Sequence, residues 1–505
     1  MPYHDITPNA SSEHLSDLTP AIVWQHFATL CAIPRPSKHE ARLREHLAEW
    51  AGQKGLWHSV DSAGNLLIRK PATPGHENAP SLAMQGHLDM VCQAKSGVAH
   101  DFLQAPIALS IHDGWCFAEN TTLGADNGIG VALALAALED DSLVHGPLEA
   151  LFTVDEEAGM GGAHGLQPGW LQSTLMLNLD TEEWSEFYLG CAGGADVNVS
   201  AQWPTRSLPP QHNGWRLHVA GLRGGHSGCD IHRKRGNANR LLAEALHALD
   251  HALSGNLALA SLQGGTARNA LPREATAVIG FPAAQAPLVQ RCLDALQTQW
   301  REALSDPLSA ESDADVTIQI SPEQRPQEVL DKAAHTRLVE ALCQSPYGVR
   351  ALSQDFPGVV ETSNNLGIVS LQQGKLDINL MVRSLRDSAT KALSEDIAQV
   401  FKNADCSVVI DGHYPGWTPN PASPLLALCQ CVFQNTFSSP SSVQVIHAGL
   451  ECGIIGAKYP NLDIVSFGPT IRGAHAPGER VDIASVERCW TLLKAILVKV
   501  SEERK

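Results

Sequence analysis

His87 and Asp89, in the stretch Leu82-Ala-Met-Gln-Gly-His-Leu-Asp-Met-Val91, are residues whose types and spacing could do chemistry. The apolar run Leu82–Met84 reads as a buried strand. It is expected to break at Gly86, where a backbone without Cβ can turn sharply, and to present an imidazole with a carboxylate two residues on. A neutral imidazole is a good metal ligand, and a carboxylate bonded to its other nitrogen fixes the tautomer and raises its basicity. A satisfied structural histidine would look the same, so the pair alone decides little. Its weight comes from four more acids and imidazoles at strand ends or turns. These are Asp126 between Gly124 and Gly128, Glu157 in Asp155-Glu-Glu, Asp180 after the run Leu175–Leu179, and His475 in Gly473-Ala-His-Ala-Pro-Gly.

Two imidazoles and three carboxylates suit zinc, with cobalt or manganese as alternatives. Five ligands suit two cations when one carboxylate is shared, in pairs about 3.5–4 Å apart. Asp126 is the natural bridge, because its flanking glycines permit close backbone approach. Each acid taken singly could be an N-cap or a loop carboxylate, Asp126 above all, since a helix follows it. The five together resist that reading. Glu156 beside Glu157 would be a solvated pair on an exposed helix. After a buried strand, in an irregular turn, one can ligate a cation while Glu156 stays free as general base for a metal-activated water. Rival chemistries lack their motifs: there is no His-Glu-x-x-His and no Gly-x-Ser-x-Gly. Gly159-Met-Gly-Gly-Ala-His-Gly165 has His164 where a dinucleotide loop needs its third glycine.

The elements that must position these groups alternate strand and helix. Ser37 and Glu40 are spaced as a capping box for a helix with Leu43, Leu47 and Trp50 on one face, ended by Gly55. Strands are expected near 65–68, 81–85, 149–154 and 175–179, and an Ala/Leu helix over 131–138. Polar residues gathered at strand ends predict an α/β domain, its mixed, mostly parallel sheet between helices. After Cys191 the texture changes. Alternating strands at 215–220, 275–281, 315–320 and 376–383, with helices at 237–253 and 289–304, predict an α+β insert over 192–410. Residues 1–191 and 411–505 then form one catalytic domain around it, closed by a helix that Asp482 caps. In the strand 376–383, Arg383 falls on the polar, solvated side.

The 505 residues exceed what one core usually holds. A net charge of −18 argues against nucleic acid and anionic membrane surfaces as partners. The apolar run 129–138 is too short to span a bilayer. The stretch Met1-Pro-Tyr-His-Asp-Ile-Thr lacks the basic and apolar regions of a secretory leader. Twelve scattered cysteines without paired spacing fit a reducing, cytoplasmic setting.

The motifs Gly86-His-Leu-Asp89, Gly124-Ala-Asp126-Asn-Gly, Asp155-Glu-Glu157, Asn178-Leu-Asp180 and Gly473-Ala-His475 together resemble the co-catalytic metallopeptidases of the carboxypeptidase G/aminoacylase type. The likeness runs over nearly the whole chain. It implies one zinc on His87 and Asp180, a second on Glu157 and His475, and Asp126 between them. It also implies Glu156 as general base and Asp89 orienting His87. The insert would be a lid, in which His226 of Gly224-Gly-His-Ser-Gly stabilises the oxyanion and Asn269 touches the substrate. Arg383 would receive the terminal carboxylate, and Gly449 of His447-Ala-Gly-Leu-Glu-Cys would line the pocket, with no metal assigned to Glu451. Without the resemblance, His226 is a histidine in a glycine turn and Arg383 a surface arginine paired with an acid. The implied activity is hydrolysis of unblocked dipeptides, Xaa-His among a broad range, by a homodimer joined through its lids. The alternative is an N-acyl amino acid deacylase or carboxypeptidase with the same metals. An inactive metal-binding scaffold would have no use for Glu156 and Asp89.

Overall fold

A computed structural model describes residues 15–233, 235–305 and 312–503. The stretch read for a leader, 1–7, lies outside the described residues. Two compact units emerge. One takes the chain up to Gly190 together with Pro419–Val445 and the chain from Leu450 onward; the other takes Cys191–Thr418 with Ile446–Gly449. The return to the first unit therefore falls after Thr418, not at 410. The strand Ser407–Tyr414 explains the shift, because it is still hydrogen-bonded along Gly193–Gln202.

The first unit is built on an eight-stranded sheet. Four strands run parallel at its centre, in the order Leu148–Thr153, Leu82–His87, Leu175–Asn178 and Asp463–Ser466. Antiparallel neighbours flank them, Leu66–Lys70 on one side and Glu186–Cys191 on the other. The central strands are apolar and buried because helices cover them. The helix Ala125–Glu139 is apolar all round, and Ile129–Leu138 is buried on every side. Ala21–Ala32 packs against it. The closing helix Ile483–Glu502 is capped by Asp482, whose carboxylate accepts from the Ser485 N–H. Among the described residues no helix is long and apolar enough to cross a membrane.

Two local expectations fail, both because the residue serves the strand ends instead. Gly86 does not break its strand, which continues to His87. A glycine is needed there because a Cβ would lie 2.2 Å from Asn127 Oδ1. Ser37 and Glu40 do not form a capping box on the helix Ala41–Gln53. Ser37 Oγ donates to Asp89 Oδ2 at 2.7 Å, and Glu40 Oε1 accepts from the N–H groups of Lys38 and Asp155, each at 2.9 Å.

The second unit is an antiparallel sheet of nine strands with helices packed on it. Its spine is the long hairpin Val360–Gln372 and Lys375–Ser384. The helix Ala238–Ala252 buries Leu241, Leu242, Ala245, Leu246 and Leu249, and Asn237 caps it by accepting from the Arg240 N–H. Along Lys375–Ser384 the alternation holds as far as Asn379; Met381 and Arg383 are then buried. Arg383 is 4% exposed, so its side of the strand is not wet there.

Candidate active site

In the first unit the candidate ligands occupy the carboxyl ends of the parallel strands and the loops beside them. His87 ends its strand, Glu156 and Glu157 follow the strand ending at Thr153, and Asp180 follows the strand ending at Asn178. Asp126 sits in a non-helical kink at the start of Ala125–Glu139, and His475 lies in the left-handed region at φ 64°. The side chains converge. His87 Nε2 lies 3.1 Å from Asp126 Oδ1 and 3.4 Å from Asp180 Oδ1. His475 Nε2 lies 3.1 Å from Asp126 Oδ2 and 3.1 Å from Glu157 Oε1. Ligand atoms of His87, Asp126 and Glu157 all fall within 4.8 Å of one another.

Asp89, fully buried, has two tasks. Its carbonyl and its Oδ1 lie 3.2 Å and 3.4 Å from His87 Nδ1, and its two carboxylate oxygens accept from the N–H groups of Glu156 at 3.0 Å and Glu157 at 3.1 Å. One carboxylate thus backs the imidazole and sets the turn that carries both glutamates. Burial would raise its pKa, but His87, Ser37 and the Glu156 amide outweigh this and bring it down to about 2.

Two residues not singled out from the sequence hold the Asp126 loop. Arg35, 2% exposed, donates from Nη1 to the carbonyls of Leu88 and Asp89 at 2.9 Å and from Nη2 to that of Gly124 at 2.5 Å. Glu479, also buried, accepts from the N–H groups of Leu123 at 2.8 Å, Gly124 at 2.9 Å and Asp126 at 3.2 Å. Gly124 has φ 72°, and a Cβ there would meet Arg35 Nη2 at 2.5 Å, so the turn admits only glycine. Asn127 Nδ2 donates to the Leu179 carbonyl at 2.6 Å, tying this loop to Asp180.

The acids and imidazoles perturb one another strongly. Burial alone would lower the His87 pKa, yet Asp180, Asp126 and Asp89 hold it well above the usual value. Asp126 and Glu157 push His475 up to about 11. Burial, then the charges of Asp126 and Glu157, lifts Asp180 to about 7 against the pull of His87. Burial and the neighbouring Glu157, Asp180 and Glu451 also keep the Glu156 carboxyl well above its ordinary range. Asp180 Oδ1 and Glu157 Oε1 are buried and accept no well-aligned hydrogen bond among the described residues. Imidazoles protonated by surrounding acids, with oxygens left short of donors, fit a site that binds cations in exchange for protons.

The second unit brings its own candidates together. His226 Nδ1 accepts from the N–H groups of Gly228 at 3.2 Å and Cys229 at 3.0 Å, which leaves Nε2 to carry the proton. Arg383 donates from Nη1 to the Tyr414 hydroxyl at 2.9 Å, and its Nη2 lies 3.5 Å from His226 Nε2. Among the described residues no acid pairs with it, which corrects the surface-arginine reading. Asn269 is exposed, and its carbonyl accepts from the Ser227 N–H, beside the short ladder that joins His226 to Ala270. Gly449 follows His447, whose Nε2 lies 2.7 Å from Ser363 Oγ.

Residues 83–499 match peptidase family M20/M25/M40. The chain belongs to this peptidase family. Among its relatives is the cytosol non-specific dipeptidase of Escherichia coli (strain K12), 42% identical over 96% of this chain and 99% of that protein. The crystal structure of aminoacylhistidine dipeptidase from Vibrio alginolyticus is 39% identical, with a TM-score of 0.85 over 97% of this chain and 98% of that one. The aminopeptidase PepT structure from Bacillus cereus shares the fold, with a TM-score of 0.59 over 96% of this chain and 99% of that one, at 16% identity. Membership of family M20/M25/M40 makes the chain a peptidase, a hydrolase of the α/β class with an α+β insert.

Proposed function

We propose that this family member is a metal-dependent dipeptidase whose two cations are held by His87, Asp126, Glu157, Asp180 and His475. One observation carries the reading: the two oxygens of Asp126 each meet a different imidazole Nε2 at 3.1 Å, and each of these Nε2 atoms meets one further acid. His87 and Asp180 would share one cation with Asp126, and Glu157 and His475 the other. Zinc suits these donors best, and cobalt or manganese is compatible. When bound, the cations would polarise the scissile carbonyl and make water a better nucleophile.

The chain's own residues then divide the work. Glu156 takes a proton from the attacking water. The hydroxyl adds to the carbonyl carbon, and Glu156 returns the proton to the amine as the C–N bond breaks. Asp89 orients His87 and, through two backbone N–H groups, fixes where Glu156 stands. His226 donates its Nε2–H to the oxyanion. Arg383 receives the substrate's terminal carboxylate through a planar, permanently charged fork, and Asn269 and Gly449 line the substrate. The names of the two similar dipeptidases support unblocked dipeptides as substrates, Xaa-His peptides among them. We assign the protein to the cytoplasm as a homodimer formed through its second unit.

The test is a substrate panel with metal analysis. Carnosine, Ala-His, Gly-Gly and N-acetyl amino acids are offered to protein reconstituted with zinc, cobalt or manganese. Hydrolysis of the free dipeptides, lost on chelation and restored by metal, is expected. Turnover of the N-acetyl compounds alone would replace this reading with a deacylase.

A further inference from the structure

Beneath the candidate ligands a row of polar side chains crosses the centre of the sheet. Ser466, Asn178 and Gln85 are register partners on three adjacent parallel strands, and Thr153 is the register partner of His87 on the fourth. All four are fully buried, as is Glu451 at the start of the helix Glu451–Lys458. Their hydrogen bonds run one way. Ser466 Oγ donates to Asn178 Oδ1 at 2.5 Å, Asn178 Nδ2 to Gln85 Oε1 at 2.5 Å, and Gln85 Nε2 to Glu451 Oε2 at 2.6 Å. Thr153 Oγ1 donates to the same Glu451 oxygen at 2.5 Å.

Apart from Gly86, the buried Glu149 and Asp463, the positions before this row on the four strands are leucines, alanines, methionines, a phenylalanine, an isoleucine and a valine. Apolar side chains would fill the row at less cost than five buried polar groups. A fully connected network does something packing cannot: it fixes each side chain in one place. The candidate ligands and base stand just beyond this row on three of the strands. His87 comes two residues after Gln85, Asp180 two after Asn178, and Glu156 three after Thr153. Alternation along a strand puts Gln85 and His87 on one face.

We propose that Glu451 is a positioning residue for the cation centre, a strut that locks the ends of the strands carrying His87 and Glu156 to one another through Gln85 and Thr153. Its Oε1 is buried and accepts no hydrogen bond among the described residues, so Oε2 alone receives both side chains, beside the direct bond from Gln85 Nε2 to Thr153 Oγ1 at 3.2 Å and the backbone pairing of the two strands. Burial also lifts its carboxyl to about 7, so the acceptor oxygen matters here more than a permanent charge. The inference rests on the assignment of the five cation ligands.

Zinc affinity, measured by competition with a chelator, separates the two. The wild type is titrated first; binding no zinc would overturn the ligand assignment itself. Glu451→Ala is expected to weaken zinc binding by about 10–100-fold, the range for residues that support a metal ligand, and to lower kcat while KM holds. Glu451→Gln keeps one acceptor oxygen and is expected to bind and turn over close to wild type. A zinc-binding wild type with Glu451→Ala unchanged in affinity and only lower in melting temperature overturns the strut. So does a Glu451→Gln variant as weak as Glu451→Ala. Should Glu451→Ala not fold, Gln85→Met and Thr153→Val each remove one arm: weakened zinc binding supports the proposal, and unchanged affinity overturns it.

Discussion

Glu479 accepts a hydrogen bond from the backbone N–H of Asp126 at 3.2 Å, across 353 positions of sequence. With the two further amides it accepts, its carboxylate fixes the height of the shared acid from the same loop that delivers His475. Glu479→Ala leaves three buried N–H groups without acceptors. A loss of at least about 2 kcal/mol in the stability of the first unit is expected, with less metal retained per chain. Thermal melts and metal analysis on the purified variant check both; retention of full melting temperature and metal would count against the clamp.

Glu156→Ala tests the division between neighbouring glutamates. Turnover is expected to fall about 10²–10⁴-fold or more, the scale of general acid–base catalysis, with metal content unchanged. Glu157→Ala should instead lose metal. Steady-state kinetics beside metal analysis reads both, and equal metal loss in the two variants would merge the roles.

Arg383→Lys keeps the charge and gives up the fork. The fork is held by the Tyr414 hydroxyl at 2.9 Å and by Ser227 Oγ at 3.4 Å. We expect KM for free dipeptides to rise about tenfold or more, since a single ammonium cannot match a bidentate contact. Dipeptide amides, which lack the carboxylate, should be hydrolysed equally by wild type and variant.

His447 supplies a pH test away from the ligands. Burial, with Arg383 and His226 nearby, lowers its pKa to about 3, whereas an unfolded histidine titrates near 6.5. Between those values the unfolded chain binds the extra proton, so this group's contribution to stability falls as pH drops below about 6.5. From pH 7 to pH 5 the wild type should lose about 2 kcal/mol that His447→Gln does not. Denaturant unfolding of both at the two pH values gives the difference; equal losses would show that His447 is not held neutral.

Much of the candidate site was legible because His87, Glu157 and Asp180 follow short apolar runs, and a polar residue at the end of a buried strand stands out. The clamps were not legible, for a physical reason. Arg35 and Glu479 bind backbone carbonyls and amides, which every residue has, so no side-chain pattern announces their partners. Ser37 and Glu40 carry the spacing of a capping box, yet a nearby buried carboxylate and a strained turn compete for them more strongly than the helix end does. Arg383 was misplaced because period-two polarity separates the two faces of a strand without saying whether the polar face meets water or other buried polar groups. The insert ran past 410 because hydrogen bonding to Gly193–Gln202, invisible in a turn-rich stretch, continues to Tyr414.

The 349 positions between Asp126 and His475 also set a clock. At a synthesis rate of about 5–20 residues per second, His475 leaves the ribosome roughly 20–70 s after Asp126. Until then the nascent polypeptide exposes clustered acids with neither their second imidazole nor the Glu479 brace. On the proposed ligand set, competence to cut peptides would arrive only with this last segment, and fragments ending before it would be inert.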